Sequence, residues 1–177
     1  MRHGETEWSA SGRHTSTTDI PLTAAGEESA RSLAPRLGEF ALVLSSPRSR
    51  ALRTAELAGF PSPEVDPDLV EWDYGDYEGV TTAEIRESVP GWTVWTHPCP
   101  GGETAADVSA RLDRVIARCQ AADGDVLLVA HGHSLRALTA RWLELPVTDG
   151  RHFRLDTGTI SVLGWERETP VVLRWNS

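Results

Sequence analysis

At 177 residues the chain has the length of one domain built on a single core, spanning residues 1–177, and two independent domains would each be small. Its 40% hydrophobic and 24% charged residues are the composition of an ordinary soluble globular protein, which excludes a disordered or fibrous chain. The formal net charge of −9, with no basic run or stripe, argues against a nucleic-acid or anionic-membrane partner.

The longest clean apolar runs, such as Val126–Ala130, are of strand length and cannot span a bilayer. No basic start followed by an apolar stretch suggests a secretory signal, and a cytoplasmic location is expected. All 17 basic residues are arginine, so Schiff-base chemistry through lysine is excluded and any phosphate site must use the planar guanidinium fork. Cys99 and Cys119 form no CxxC or zinc-ligand pattern and read as inert thiols.

In chain order, Thr23 to Leu37 has helical spacing at Ala30, Leu33, Ala34 and Leu37, with Thr23 as N-cap and Pro35 placed to kink or shorten it. Ala41–Leu44 reads as a short buried strand. Ser46 then reads as an N-cap, with Pro47 opening a helix through Leu57. Thr81 and Glu84 have capping-box spacing before a short helix that ends near Pro90. After Gly101-Gly102 comes a longer helix with Val108, Leu112, Val115, Ile116 and Cys119 in one apolar stripe. Val126–Ala130 is apolar on both faces, as a central parallel strand should be. His133 to Leu143 is helical again, and Thr159–Trp165 with Val171–Trp175 read as two strands joined by a tight turn. Alternating strands and helices imply an α/β class fold, a three-layer α/β/α sandwich with a mostly parallel central sheet.

Two histidines lie at the carboxyl ends of expected strands, where ligands of open α/β sheets bind. His3 stands in Arg2-His-Gly-Glu5, and His131 directly follows Val126–Ala130. Gly4 and Gly132, each after its histidine, would let a ligand approach the backbone. A lone histidine is more often a hydrogen-bonded structural residue, but two at equivalent strand ends shift that balance. Arg50 falls in the first turns of a helix after a strand, where helix N-terminus and guanidinium both favour an anion. The plainer alternative, a solvated surface arginine, suits Arg48 or Arg53 better. Glu71 opens a loop rich in aromatics and glycine, Glu71–Gly79, and an exposed loop carboxylate describes Asp76 and Glu78 better than Glu71.

Arg2-His-Gly-Glu-Thr-Glu-Trp8, Asp19-Ile-Pro-Leu-Thr23, Ser45-Ser-Pro-Arg-Ser-Arg-Ala51, Glu71 with Tyr74-Gly75, Gly101-Gly-Glu103 and His131-Gly-His-Ser-Leu-Arg136 together resemble the histidine phosphatase superfamily, the phosphoglycerate mutase-like proteins. The match runs in order over nearly the whole chain. Within it, Trp8-Ser-x-Ser-Gly12 and Glu71–Gly79 are most similar to a branch that holds sedoheptulose-1,7-bisphosphatase and acid phosphatases.

The resemblance implies that His3 attacks phosphorus and becomes a phosphohistidine, which neutral imidazole does near pH 7 without a separate base. Arg2, Arg50 and His131 would hold the phosphoryl oxygens. Glu71 would protonate the leaving alkoxide and then deprotonate the hydrolytic water. To act first as an acid it needs surroundings that raise its pKa, so activity should be greatest at acidic to neutral pH. Ser9 and Thr15 fall where members of the family contact phosphate; Gly132, His14 and Arg136 are further substrate contacts, and His133 either contacts phosphate or packs. No metal or cofactor is implied. The expected partner is a small phosphorylated metabolite, with phosphate or sulfate as stand-ins, and a homodimer is compatible with this reading.

Phosphoglycerate mutases resembling this fold carry a longer basic insertion between the positions of Glu71 and His131. Here that interval is short and holds only Arg86, Arg111, Arg114 and Arg118, which favours a hydrolase over a mutase. A metallohydrolase finds neither HExxH spacing nor a carboxylate partner for His131-x-His133. A catalytically dead binding module would usually have lost one of the five catalytic positions, and all five are kept. In the family the Arg-His-Gly motif ends a central strand preceded by several apolar residues. Because Met1 directly precedes Arg2, the expectation is a native start upstream of Met1 and a sheet short by part of one central strand.

Overall fold

The computed structural model describes residues 1–177. A five-residue helix, α1 (Glu7–Ser11), opens on a reciprocal capping box between Thr6 and Ser9. The next helix, α2 (Ala24–Leu33), is capped by Thr23, whose hydroxyl accepts from the Gly26 N–H. It ends four residues before Leu37 because Pro35 forces a 3-10 turn over Ala34–Arg36. Strand β1 (Leu42–Ser45) follows, then α3 (Ser49–Leu57), the two-residue strand β2 (Glu64–Val65), α4 (Thr82–Ser88) and α5 (Ala105–Gln120). Strand β3 (Val126–Val129), α6 (Gly132–Trp142) and the hairpin β4 (Val162–Glu166)–β5 (Thr169–Arg174) complete the chain.

The third helix starts at Ser49, later than Ser46-Pro47 suggests. Ser46 is still strand-like, its N–H bonded to the Val129 carbonyl at 3.0 Å, and its hydroxyl is taken by His131. The helix is capped from a distance instead: Asp19 Oδ1 accepts from both the N–H and the hydroxyl of Ser49 at 2.9 Å. The capping box of α4 forms as the Thr81/Glu84 spacing predicts.

Strands β2, β1 and β3 form a parallel sheet in that order, with Leu44 opposite Leu128. Side-chain alternation divides two cores between its faces. Leu42, Leu44, Leu128 and Ala130 pack with Val108, Leu112 and Val115 of α5 and Leu135 and Leu138 of α6. Val43, Leu127 and Val129 pack with Leu33 of α2 and Ala51 and Ala55 of α3. Each fully buried Leu or Val contributes roughly 1.5–3 kcal/mol by leaving water. The result is three layers, α/β/α, with the antiparallel hairpin beside them.

On the far side of β3 the N-terminal residues make one parallel bridge, Arg2 to Ala130, rather than a full strand. His3 N–H donates to the Ala130 carbonyl at 3.0 Å, and the His3 carbonyl accepts from Gly158 N–H at 3.0 Å. The Met1 ammonium donates to the Leu128 carbonyl at 2.8 Å, and burial pushes its pKa down to about 5. Beyond it, between β3, α6 and the hairpin, lies an apolar cavity of about 520 Å³ lined by Met1, Leu128, Leu138, Trp142 and Leu163 among others.

No helix is long and apolar enough to cross a membrane.

Candidate active site

Three strand ends converge on one place. Arg2-His3 leaves the bridge to Ala130, Ser46 follows β1, and His131 follows β3 as the N-cap of α6. His3 is buried, and its Nδ1 donates to the carbonyl of Gly4 at 2.7 Å, which leaves the lone pair on Nε2. Burial, with the Arg2 and Arg50 guanidinium groups beside it, holds His3 well below the ordinary histidine range, so the imidazole is neutral. His131 stands edge-on to it, ring centroids 5.1 Å apart. Arg50 Nε donates to His131 Nδ1 at 3.2 Å, so the His131 proton sits on Nε2 and points to Ser46 Oγ at 2.7 Å. Burial likewise pushes His131 well down, and the neighbouring His3 and Arg50 add to the shift.

Arg50 is almost wholly buried, and its remaining N–H groups go to the carbonyls of Thr18 (3.1 Å), Thr15 (3.2 Å) and Ser16 (3.4 Å). That loop is fixed by Glu78, whose carboxylate accepts from Ser16 N–H, Ser16 Oγ and Thr18 N–H. Glu78 is therefore no exposed loop carboxylate. Its partners lie some sixty residues back in the chain, where local sequence gives no hint of them, and these bonds hold its pKa below the usual carboxylate range against the cost of burial. Asp76 is exposed, as read. Arg53 pairs with Glu27 and Glu56 at the surface, whereas Arg48 is half-buried with an unpartnered Nε.

Glu71 is buried and meets α6 head-on. Its Oε1 accepts from Ser134 N–H at 2.7 Å and Trp72 N–H at 2.9 Å, and its Oε2 accepts from His133 N–H at 2.9 Å. These contacts use the positive end of the helix and treat both oxygens as acceptors. Its loop is locked onto the Gly101–Glu103 segment by close backbone approach: a Cβ on Gly75 would stand 2.1 Å from the Pro100 carbonyl oxygen, and one on Gly102 would stand 2.2 Å from that of Asp73.

Arg2, His3 and Glu71 line one cleft of about 250 Å³ together with Ser9, Thr15, His14, Gly132 and Arg136. Only Tyr74 and Leu155 on its wall are apolar. Arg2 donates to the Leu155 carbonyl at 2.5 Å, while its Nε is buried without a partner. Gly132 lets that guanidinium lie close, since a Cβ there would be 3.2 Å from Arg2 Cζ. Gly4 serves packing instead: a Cβ on it would strike the Gly26 carbonyl oxygen at 2.3 Å, so the residue seats α2 rather than a ligand.

Arg50 and His131 are gathered behind His3 by hydrogen bonds but form no part of the cleft wall. Ser9 is held in its capping box, and the Thr15 hydroxyl donates to the Arg13 carbonyl at 3.1 Å. His14 packs against Tyr74 and Trp92 with Nε2 3.2 Å from Thr82 Oγ1, and burial pushes it down to about 4. Arg136 stacks 4.8 Å over Trp95 and donates to the Gly150 and Arg151 carbonyls. His133 both packs and lines the cleft, its Nδ1 hydrogen-bonded with the Tyr74 hydroxyl at 2.6 Å. Reading by motif missed Thr6, Arg13 and Thr82 on the wall, and Ser46 beneath it.

A parallel α/β sheet thus gathers near its strand ends a neutral histidine, the buried Arg50, the half-buried Arg2 and a carboxylate, an arrangement suited to phosphate esters. The chain belongs to the histidine phosphatase superfamily (branch 1), whose family model matches residues 1–177. It is 48% identical over 172 residues to an acid phosphatase of Mycobacterium tuberculosis, covering 94% of this chain and 85% of that one. It is 37% identical over 186 residues to sedoheptulose 1,7-bisphosphatase of Saccharomyces cerevisiae, covering 83% and 67%. A solved structure of an open reading frame product from Mycobacterium tuberculosis superposes with a TM-score of 0.95 at 45% identity, over 99% of this chain and 94% of that one.

Proposed function

We propose that the protein hydrolyses small, polar phosphomonoesters through a phosphohistidine on His3. The observation that carries this reading is the state of His3: neutral, with its Nε2 lone pair unspent, in the same cleft as Glu71 and Arg2. His3 Nε2 attacks phosphorus as the P–O bond to the leaving group breaks, and Glu71 gives its proton to the departing alkoxide. Arg2 and Arg50 supply the positive charge that the transferring phosphoryl group needs, and His131 completes that end of the site. In the second half, Glu71 takes a proton from water, whose oxygen bonds to phosphorus as the P–N bond breaks. Inorganic phosphate leaves and His3 is regenerated.

The polar wall of the cleft suits a hydroxylated metabolite better than an aryl or lipid one. A sugar bisphosphate is the narrower reading, favoured by Arg136 as a further cation on that wall and by the named activity of the yeast relative. The test is a screen of sugar mono- and bisphosphates in the presence of chelator, with rapid quench to trap an acid-labile phosphoenzyme. Wild type is expected to label and turn over, and His3→Ala to do neither. Turnover surviving in His3→Ala would overturn the reading.

A further inference from the structure

Glu71 lies in no helix or strand, yet the acid–base role asked of it needs a carboxyl placed to within a fraction of an ångström. The carboxylate is held by α6, but the backbone that carries it is held by something else. Arg111 projects from the buried face of α5, and its guanidinium spends all five N–H donors on one task. Nη1 donates to the carbonyls of Asp68 (2.8 Å) and Val70 (2.9 Å), and Nη2 to that of Glu71 itself (3.2 Å). The other two donors form a fork onto Glu103, at 2.7 and 3.0 Å. Glu103 passes the grip forward: its Oε2 accepts from Asp73 N–H at 2.9 Å, its carbonyl from Trp72 Nε1 at 3.1 Å, and its N–H donates to the Asp73 carbonyl at 3.0 Å. Asp68, Val70, Glu71, Trp72 and Asp73 are thus all tied to one ion pair. Neither member of the pair lines the cleft.

We propose that the Arg111–Glu103 pair is the positioning device for Glu71, fixing the carrier loop so that the carboxyl meets the leaving oxygen. The inference rests on Glu71 being the general acid. A buried ion pair is weak evidence of stability, since desolvation consumes most of its attraction, whereas its directional bonds specify one geometry. Lysine has no fork with which to bind three carbonyls and a carboxylate at once. The pair therefore acts on proton delivery rather than on substrate binding.

The experiment measures kcat/KM for phosphomonoesters of graded leaving-group basicity, from p-nitrophenyl phosphate to alkyl phosphates, in wild type, Arg111→Met, Glu103→Gln and Glu71→Gln. This constant reports only steps through formation of the phosphoenzyme, where a poor leaving group needs the acid and p-nitrophenolate does not. For both pair variants we expect alkyl phosphates to lose about 10- to 100-fold and p-nitrophenyl phosphate under about 3-fold, with KM near wild type. Glu71→Gln should show the same selectivity in stronger form. Equal losses on both substrate types, or none on either, would overturn the positioning role. If Arg111→Met does not fold, the near-isosteric Glu103→Gln decides alone, with its melting curve as control. If Glu71→Gln itself shows no leaving-group selectivity, the acid assignment fails, which is a different outcome from a selective Glu71→Gln beside unselective pair variants.

Discussion

At the inner end of the cleft and behind it, His3 and His131 follow strand positions of a parallel sheet and Arg50 lies in the first turn of the helix after one, and they are bonded to each other or to backbone carbonyls. At the outer end Ser9, Thr15, His14 and Arg136 come from a five-residue helix, a loop and a helix flank, and each has an occupation of its own. The inner groups are buried, and Arg50 joins His131 to the carbonyls of the Thr15–Thr18 loop. The outer groups spend their polar atoms on other partners: Ser9 on Thr6, Thr15 on Arg13, His14 on Thr82 and Arg136 on the Gly150 and Arg151 carbonyls. Substitution inside should therefore act on the chemical step, and substitution outside on fold or affinity.

The largest effect belongs to Arg50. Arg50→Ala removes a buried charge beside His3 and leaves the carbonyls of Thr15, Ser16 and Thr18 and His131 Nδ1 without their donor. We expect kcat/KM to fall by about 10²- to 10³-fold, with a lowered melting temperature, and Arg50→Lys to recover little because an ammonium cannot span those acceptors. Steady-state kinetics on a phosphomonoester checks this. A loss no larger than that caused by Arg136→Ala would erase the distinction between the two ends.

A smaller effect follows from the burial of the inner end. His3 is held neutral well below the ordinary histidine range, so kcat/KM should not show an acid limb near pH 6.5; it should persist into more acidic solution. Stability has the opposite trend. His14 falls from 6.5 to about 4 on folding. Between those values the unfolded chain binds more protons than the folded one, so this contribution is full above about pH 6.5 and is lost as the solution is acidified towards pH 4. Thermal melts across that range, beside a pH–rate profile, check both. An acid limb near 6.5 would mean that His3 is not held neutral, and a flat melting temperature that His14 is not buried as described.

The same contrast explains what could be read from the chain. His131 was visible because an apolar run stops at it, and Arg50 because it follows a strand and an Ser-Ser-Pro turn, both local signals. The two faces of the sheet follow from alternation in Leu42–Leu44 and Leu127–Ala130, whereas the strand order does not. What stayed hidden depends on partners far along the chain: Asp19 capping Ser49 across 30 residues, Glu78 bonding the loop under Arg50, and Gly4 seating Gly26. Arg111 was half visible. It lies three residues after Val108 and four before Val115, on the apolar stripe, and an arginine there had to be buried with partners.

Ser9 puts the outer end to its most delicate test. Motif likeness makes it a phosphate contact, and it does line the cleft. Yet its hydroxyl accepts from Thr6 N–H at 2.9 Å and donates to the Thr6 carbonyl at 3.0 Å, closing the box that starts α1. A hydroxyl so engaged has its one proton committed, so it offers phosphate only a lone pair unless the cap opens. Ser9→Ala should then cost about 1 kcal/mol of stability, for the Thr6 N–H loses its acceptor while the Thr6 cap itself is kept. It should change kcat/KM by less than about 3-fold, within the range of one weak hydrogen bond. Thermal melts and phosphatase kinetics on the same preparation separate the two. A 100-fold loss of activity with an unmoved melting temperature would show that Ser9 leaves its cap for the phosphoryl group, and the outer end would then belong to the chemistry after all.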